Sequence, residues 1–147
     1  MFRLVKFASL KRAEKKLFFE AVLFVSAVRV ALWLIPFRWL QKSFMKFLSP
    51  KAGAAETDWS KIEKICGYAR RSSRLVPFAT CLTQALAALY LLRLHGHDAE
   101  LKIGVKKAED ENFGAHAWLE KDGRVLIGKL PKRERYIALN NAQERIL

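Results

Sequence analysis

The chain has 147 residues, a hydrophobic content of 52% and a formal net charge of +13. That length suits one domain with a helical extension, and that apolar content builds a real core, which excludes global disorder. The charge favours an acidic partner (nucleic acid, anionic lipid or acidic peptide) and does not choose among the three.

Residues 1–16 are basic (Arg3, Lys6, Lys11, Arg12, Lys15, Lys16) and read as an arm or a short helix. The apolar stretch that follows, Leu17 to about Leu40, carries no A-x-A-like cleavage pattern, so a secretory signal is not expected. Glu20 and Arg29 interrupt it, and Pro36 and Arg38 follow. A spanning helix needs about 20 mostly uncharged residues, and a central Arg is costly in lipid. A buried or interface helix is therefore the expectation, with peripheral membrane contact through this helix and its basic flanks as the alternative. Residues 17–48 read as one or two helices broken at Pro36, and the turn Ser49–Ala54 divides the chain into regions 1–50 and 51–147.

Ser60-Lys61-Ile62-Glu63 fits a capping box, which predicts a helix from Ser60 to about Arg70 with Ile62, Ile65, Cys66 and Tyr68 or Ala69 on its apolar face. Arg70–Arg74 reads as a basic loop, and Leu75–Ala79 leads into the next helix, with Pro77 holding Val76 extended. Cys81 to Leu94 is apolar nearly all round and should be the central, buried helix, stopped at Gly96. The period then changes to two. Ala99–Val105 alternates as a strand, and Lys106–Phe113 is a charged loop. Ala115–Glu120, the turn at Asp122-Gly123 and Arg124–Ile127 form a hairpin, and Tyr136–Leu139 reads as a short strand.

Two residues in this layout carry chemistry. Cys81 opens a helix behind Thr80, a good N-cap, and His116 sits on a following strand. A thiol attacks carbonyls as thiolate, and a helix N-terminus and a nearby imidazolium both favour that form. First-turn N–H groups are placed to meet a developing oxyanion, and an imidazole takes the thiol proton and returns it to a leaving amine. Cys66 reads as a small core residue. Two cysteines are too few for a disulfide scaffold, and no Cys/His cluster has zinc-ligand spacing. A reducing, cytoplasmic setting without metal or cofactor is expected. The group that orients His116 stays open at this level: Asn140 and Asn141 carry amides, Asp122 lies at the turn, and a backbone carbonyl also serves such a role. In the hairpin His116 lies roughly opposite Ile127 or Gly128.

Cys81-Leu82-Thr83-Gln84-Ala85-Leu86, Gly96, Ala99–Val105, Ala115-His116-Ala117-Trp118-Leu119-Glu120 and Asp122-Gly123-Arg124-Val125-Leu126, in this order, resemble the B2 proteins of lasso-peptide biosynthesis. The segment Leu34-Ile35-Pro36-Phe37-Arg38-Trp39-Leu40 is similar to that family's N-terminal region. The resemblance implies an α+β, transglutaminase-like and papain-related cysteine peptidase core at 51–147, its catalytic helix packed on a small antiparallel sheet, behind apolar helices at 1–50. It also implies a leader peptidase with Cys81 as nucleophile and His116 as base. Its partners would be a precursor peptide, a leader-recognition protein acting in trans and a separate lasso cyclase. That family's third member is commonly an Asp on the strand after the Asp-Gly turn, and the position aligned with it here is Gly128. Two other classes compete: a non-catalytic basic binding module, and a membrane-peripheral scaffold. Nucleic acid is not the expected partner, because the basic residues are scattered and no helix-turn-helix, zinc-finger or RNP signature occurs.

Overall fold

A computed structural model describes residues 10–36, 38–40, 42–43, 57–106, 114–129 and 136–138. Helix α1 spans Arg12–Leu34, so it starts inside the basic arm rather than after it. Leu17, Ala21, Val25 and Val28 recur at helical spacing and are buried, which makes one face of α1 part of the core. Ile35 is extended (φ −126°, ψ 133°), as the residue before Pro36 must be, and this ends the helix where the sequence predicts a break. A helical turn over 38–40 follows and buries Leu40.

Helix α2 is Trp59–Ser73. Its cap differs from the expected Ser60 box. Asp58 is the N-cap and accepts from the Lys61 N–H at 3.1 Å, while Glu63 is drawn to Arg124 of the sheet. The expected basic loop after Arg70 is also corrected: the helix runs on through Arg70–Ser73 because these residues find partners. The Arg70 guanidinium donates to the Leu126 carbonyl at 3.1 Å, and that of Arg71 stands 5.6 Å from the Tyr68 ring centre. Cys66 is buried on this helix, and burial pushes its thiol up to about 12, which fits the inert core role expected of it.

Helix α3, Cys81–Leu94, has the predicted bounds and buries every residue from Ala85 to Leu92. It ends at Gly96, whose φ of +80° suits glycine, and the His97 N–H closes back on the Leu92 carbonyl at 2.9 Å.

Four strands follow: β1 Glu100–Lys106, β2 Gly114–Lys121, β3 Arg124–Ile127 and β4 Tyr136–Ala138. They form one antiparallel sheet in the order β3-β2-β1-β4. Asp122 (φ 49°) and Gly123 (φ 75°) both occupy the left-handed region, the mark of the two-residue hairpin turn that the Asp-Gly pair predicts. The short tail strand is present and pairs with β1. The candidate boundary Ser49–Ala54, most of the charged loop before β2 and residues 139–147 lie outside the described residues.

The three helices pack on one another, and α3 packs on β2, giving an α+β fold with one helical layer against one sheet. In the core, Ala88, Leu89, Leu91 and Leu92 of α3 meet Leu119, Leu126 and Ile127 of the sheet, together with Ile62, Ile65 and Ala69 of α2 and Leu17 and Ala21 of α1. A second cluster joins Val25 and Val28 of α1 to Leu86 and Tyr90 of α3, with Leu101 of β1 packed against it.

Candidate active site

The thiol end of the site is built by a capped helix. Thr80 is extended (φ −91°, ψ 171°), and its hydroxyl accepts from the Thr83 N–H at 3.3 Å and pairs with the Thr83 hydroxyl at 3.1 Å. The Gln84 amide donates to the Ser73 hydroxyl at 2.7 Å, which pins the first turn of α3 to the end of α2. Cys81 therefore sits at the first helical position, half-buried and not in a disulfide. With the Thr83 N–H capped and the Gln84 N–H bonded to the Thr80 carbonyl, the N–H groups of Cys81 and Leu82 are the helix-end donors without an intrahelical acceptor.

The imidazole end is built by the sheet. His116 pairs with Gly104 across β1–β2, and the β2–β3 ladder runs from Leu119 to Lys121. Its Nε2 lies 3.0 Å from the Gly128 carbonyl. A carbonyl only accepts, so Nε2 carries the proton in the neutral ring and Nδ1 is the basic nitrogen. The His116 ring is nearly parallel to that of Trp118 at 6.3 Å. Alternation along β2 puts His116, Trp118 and Glu120 on one face, and Ala117 and Leu119 on the face that meets the helices.

Helix α3, which Cys81 opens, packs on β2, which carries His116. Ala88, Leu89, Leu91 and Leu92 of α3 share one core cluster with Leu119 of β2. From there Cys81 lies seven residues back along the helix from Ala88, roughly 10 Å at the helical rise, and His116 lies three residues back along β2, also roughly 10 Å. Cys81 thus stands on the helical layer and His116 on the sheet face opposite to it. Among the described residues no hydrogen bond joins the thiol to the imidazole. Catalytic hydrogen bonds of substrate-free sites commonly tighten only when substrate binds.

Of the residues considered as orienters, Asp122 is not brought to the site. It is exposed at the hairpin turn, six residues or about 20 Å along the strand from His116. Asn140 and Asn141 lie outside the described residues. Glu120 shares the His116 face but is taken by Lys102 at 3.0 Å and the Trp118 indole N–H at 3.3 Å, and the Lys102 ammonium above all holds its carboxyl below the usual range. The ring is held by a backbone carbonyl at Gly128, the position aligned with the Asp expected from the resemblance. Gly128 has φ +79°, and a Cβ there would stand 2.7 Å from the Ala117 carbonyl oxygen and 2.9 Å from the Trp118 Cβ, so a side chain is excluded on two counts. The signal for this acceptor was the hairpin register, which sets His116 near Gly128. Among the described residues no group of three or more His, Cys, Asp or Glu side chains is placed to hold a metal ion.

A family model described as the transglutaminase-like superfamily matches residues 31–141, most of the chain, including Cys81, His116 and Gly128. The chain belongs to the transglutaminase-like superfamily. No curated protein and no solved structure matches it. A transglutaminase-like fold is of the cysteine-peptidase type.

Proposed function

We propose that this protein is a cysteine peptidase that removes the leader from a ribosomally made precursor peptide in lasso-peptide biosynthesis. The reading rests on one observation above others. Cys81 opens the capped central helix of a transglutaminase-like fold, and His116, whose tautomer is set by the Gly128 carbonyl, stands on a strand which that helix packs against. The Cys81 Sγ attacks the carbonyl at the leader–core junction as its proton passes to Nδ1 of His116. The N–H groups of Cys81 and Leu82 face the oxyanion. The imidazolium protonates the amine of the departing core, leaving a thioester between Sγ and the leader's C-terminal carbonyl. Water then hydrolyses the thioester with His116 as base.

Leader recognition comes from a separate protein acting in trans, and a lasso cyclase takes the released core; both would act with this chain in the cytoplasm. The ordered resemblance of residues 60–130 to the B2 proteins supports these finer assignments. The test is mass spectrometry of a candidate precursor incubated with this protein and its leader-binding partner, with Cys81→Ala and His116→Ala alongside. One defined cut, lost in both variants, is expected. A leader joined through its C-terminal carbonyl to an added amine, instead of a free leader acid, would turn the reading to acyl transfer. An intact precursor in the presence of bound partner would leave a binding module as the better account.

A further inference from the structure

Helix α1 has a second face that no described part of the chain covers. Phe19 is 62% exposed, Leu23 67%, Val30 54%, Trp33 79% and Leu34 67%. Their spacing follows the helical period, so they form one stripe along the side opposite to the core-facing Ala21, Val25 and Val28. Trp39, 71% exposed, stands just beyond the helix end. A contiguous apolar stripe of this kind marks an interaction surface.

Charge says what the surface meets. Arg12, Lys15 and Lys16 lie seven, four and three residues before Phe19, on the same stripe, so it begins in cations and continues in apolar side chains. Neither carboxylate of α1 opposes an anion there. Glu14 turns to Lys64 at 2.9 Å, and Glu20 is held by His95 at 2.9 Å and Lys16 at 3.7 Å. A basic head, an apolar body and exposed tryptophans are the features of a helix lying in the interface of an anionic bilayer. By length and composition α1 is also apolar enough to cross a membrane. Crossing would strip Leu17, Ala21, Val25 and Val28 out of the shared core, so the helix can meet lipid only along its outer side.

We infer that the outer stripe of α1, Phe19, Leu23, Val30, Trp33 and Leu34 behind Arg12, Lys15 and Lys16, docks the folded protein flat on an anionic lipid surface. The stripe's apolar side chains enter the acyl boundary and the three cations sit among the headgroups. The inference stands apart from the peptidase reading, since neither Cys81 nor His116 takes part.

The experiment is flotation of the full chain with phosphatidylcholine vesicles made with and without phosphatidylglycerol, the lipid carrying brominated acyl chains to quench nearby tryptophan. Wild type should float with the anionic vesicles, lose Trp33 and Trp39 fluorescence, and stay behind with the neutral ones. Leu23→Gln/Val30→Gln keeps the charge and touches no core residue, so it should melt as wild type does while its partitioning falls roughly tenfold. Failure of wild type to float would overturn the inference. So would equal binding of the double variant, which would show charge attraction alone. A wild-type dimer that the double variant dissolves, with neither protein floating, would make the stripe an interface between copies instead.

Discussion

His116 is oriented by a backbone atom, and this shapes what substitutions can do. Replacing Gly128 by Asp restores the carboxylate expected at that position, yet its Cβ would meet the Ala117 carbonyl and Trp118, and its φ of +79° is strained for any L side chain. Gly128→Asp should therefore cost about 2 kcal/mol or more and lower peptidase activity, read by thermal melting and by precursor cleavage. A gain in activity at an unchanged melting temperature would show that a carboxylate fits after all. The two cysteines should also separate. Iodoacetamide at mildly alkaline pH should label Cys81 in the native protein and spare Cys66, whose thiol is buried and pushed up to about 12, and both should label after unfolding, as read by peptide mass spectrometry. At this scale the placement of Cys81 at the first helical position and of His116 on a strand was legible, because a Thr-Cys helix start and a His in an alternating strand break the local apolar pattern. The Gly128 carbonyl was legible only as a neighbour, through the hairpin register, because a carbonyl has no side-chain signature.

Among the elements, α3 carries the proposed nucleophile at its first position. Thr80→Ala removes the side chain that caps it and should destabilise the protein by about 1 kcal/mol, while Thr80→Ser should hold within a few tenths of wild type. Activity should fall with the Ala variant more than the melting temperature implies, since the first turn carries both the thiol and the oxyanion donors. The bounds of α3, the Asp-Gly hairpin and the break at Pro36 were readable because local chemistry and tertiary packing agree there. Helix α2 was misread at both ends for the opposite reason. Asp58 outcompetes the Ser60 box once Arg124 takes Glu63, and Arg70–Ser73 stay helical because Leu126 and Tyr68 supply partners from packing that the local sequence does not display.

Across the whole molecule, α1, α2 and α3 share one core with the sheet, so a cavity in it should be felt globally. Leu119→Ala, at a fully buried contact between β2 and α3, should cost about 2–5 kcal/mol by denaturant unfolding. Stability should also decline in acid. Glu14, Asp58 and Glu120 have carboxyls held below their ordinary range, the first by Lys64, the second by the Lys61 N–H and the third by Lys102. A depressed folded value means that the contribution is complete above the unfolded carboxylate range and is lost as pH falls through the depressed values, from about pH 5 downward. Glu14 and Asp58 are solvent-facing, so that loss should shrink in high salt. The core helix and the change to strands were legible at this scale from periodicity, and the α+β class from the family resemblance. That α1 is both core and exposed surface was not, because its apolar residues run nearly all round and hydropathy does not say which side is covered.

The claim on which the account turns is that Cys81 forms a thioester with its substrate. Acid-quenched intact-mass spectrometry of the protein mixed with a precursor and its leader-binding partner reads this directly. The account predicts a transient added mass equal to the leader fragment less one water, mapped to Cys81 and absent in Cys81→Ala. Cleavage that proceeds in Cys81→Ala, or an adduct on any other residue, would contradict it.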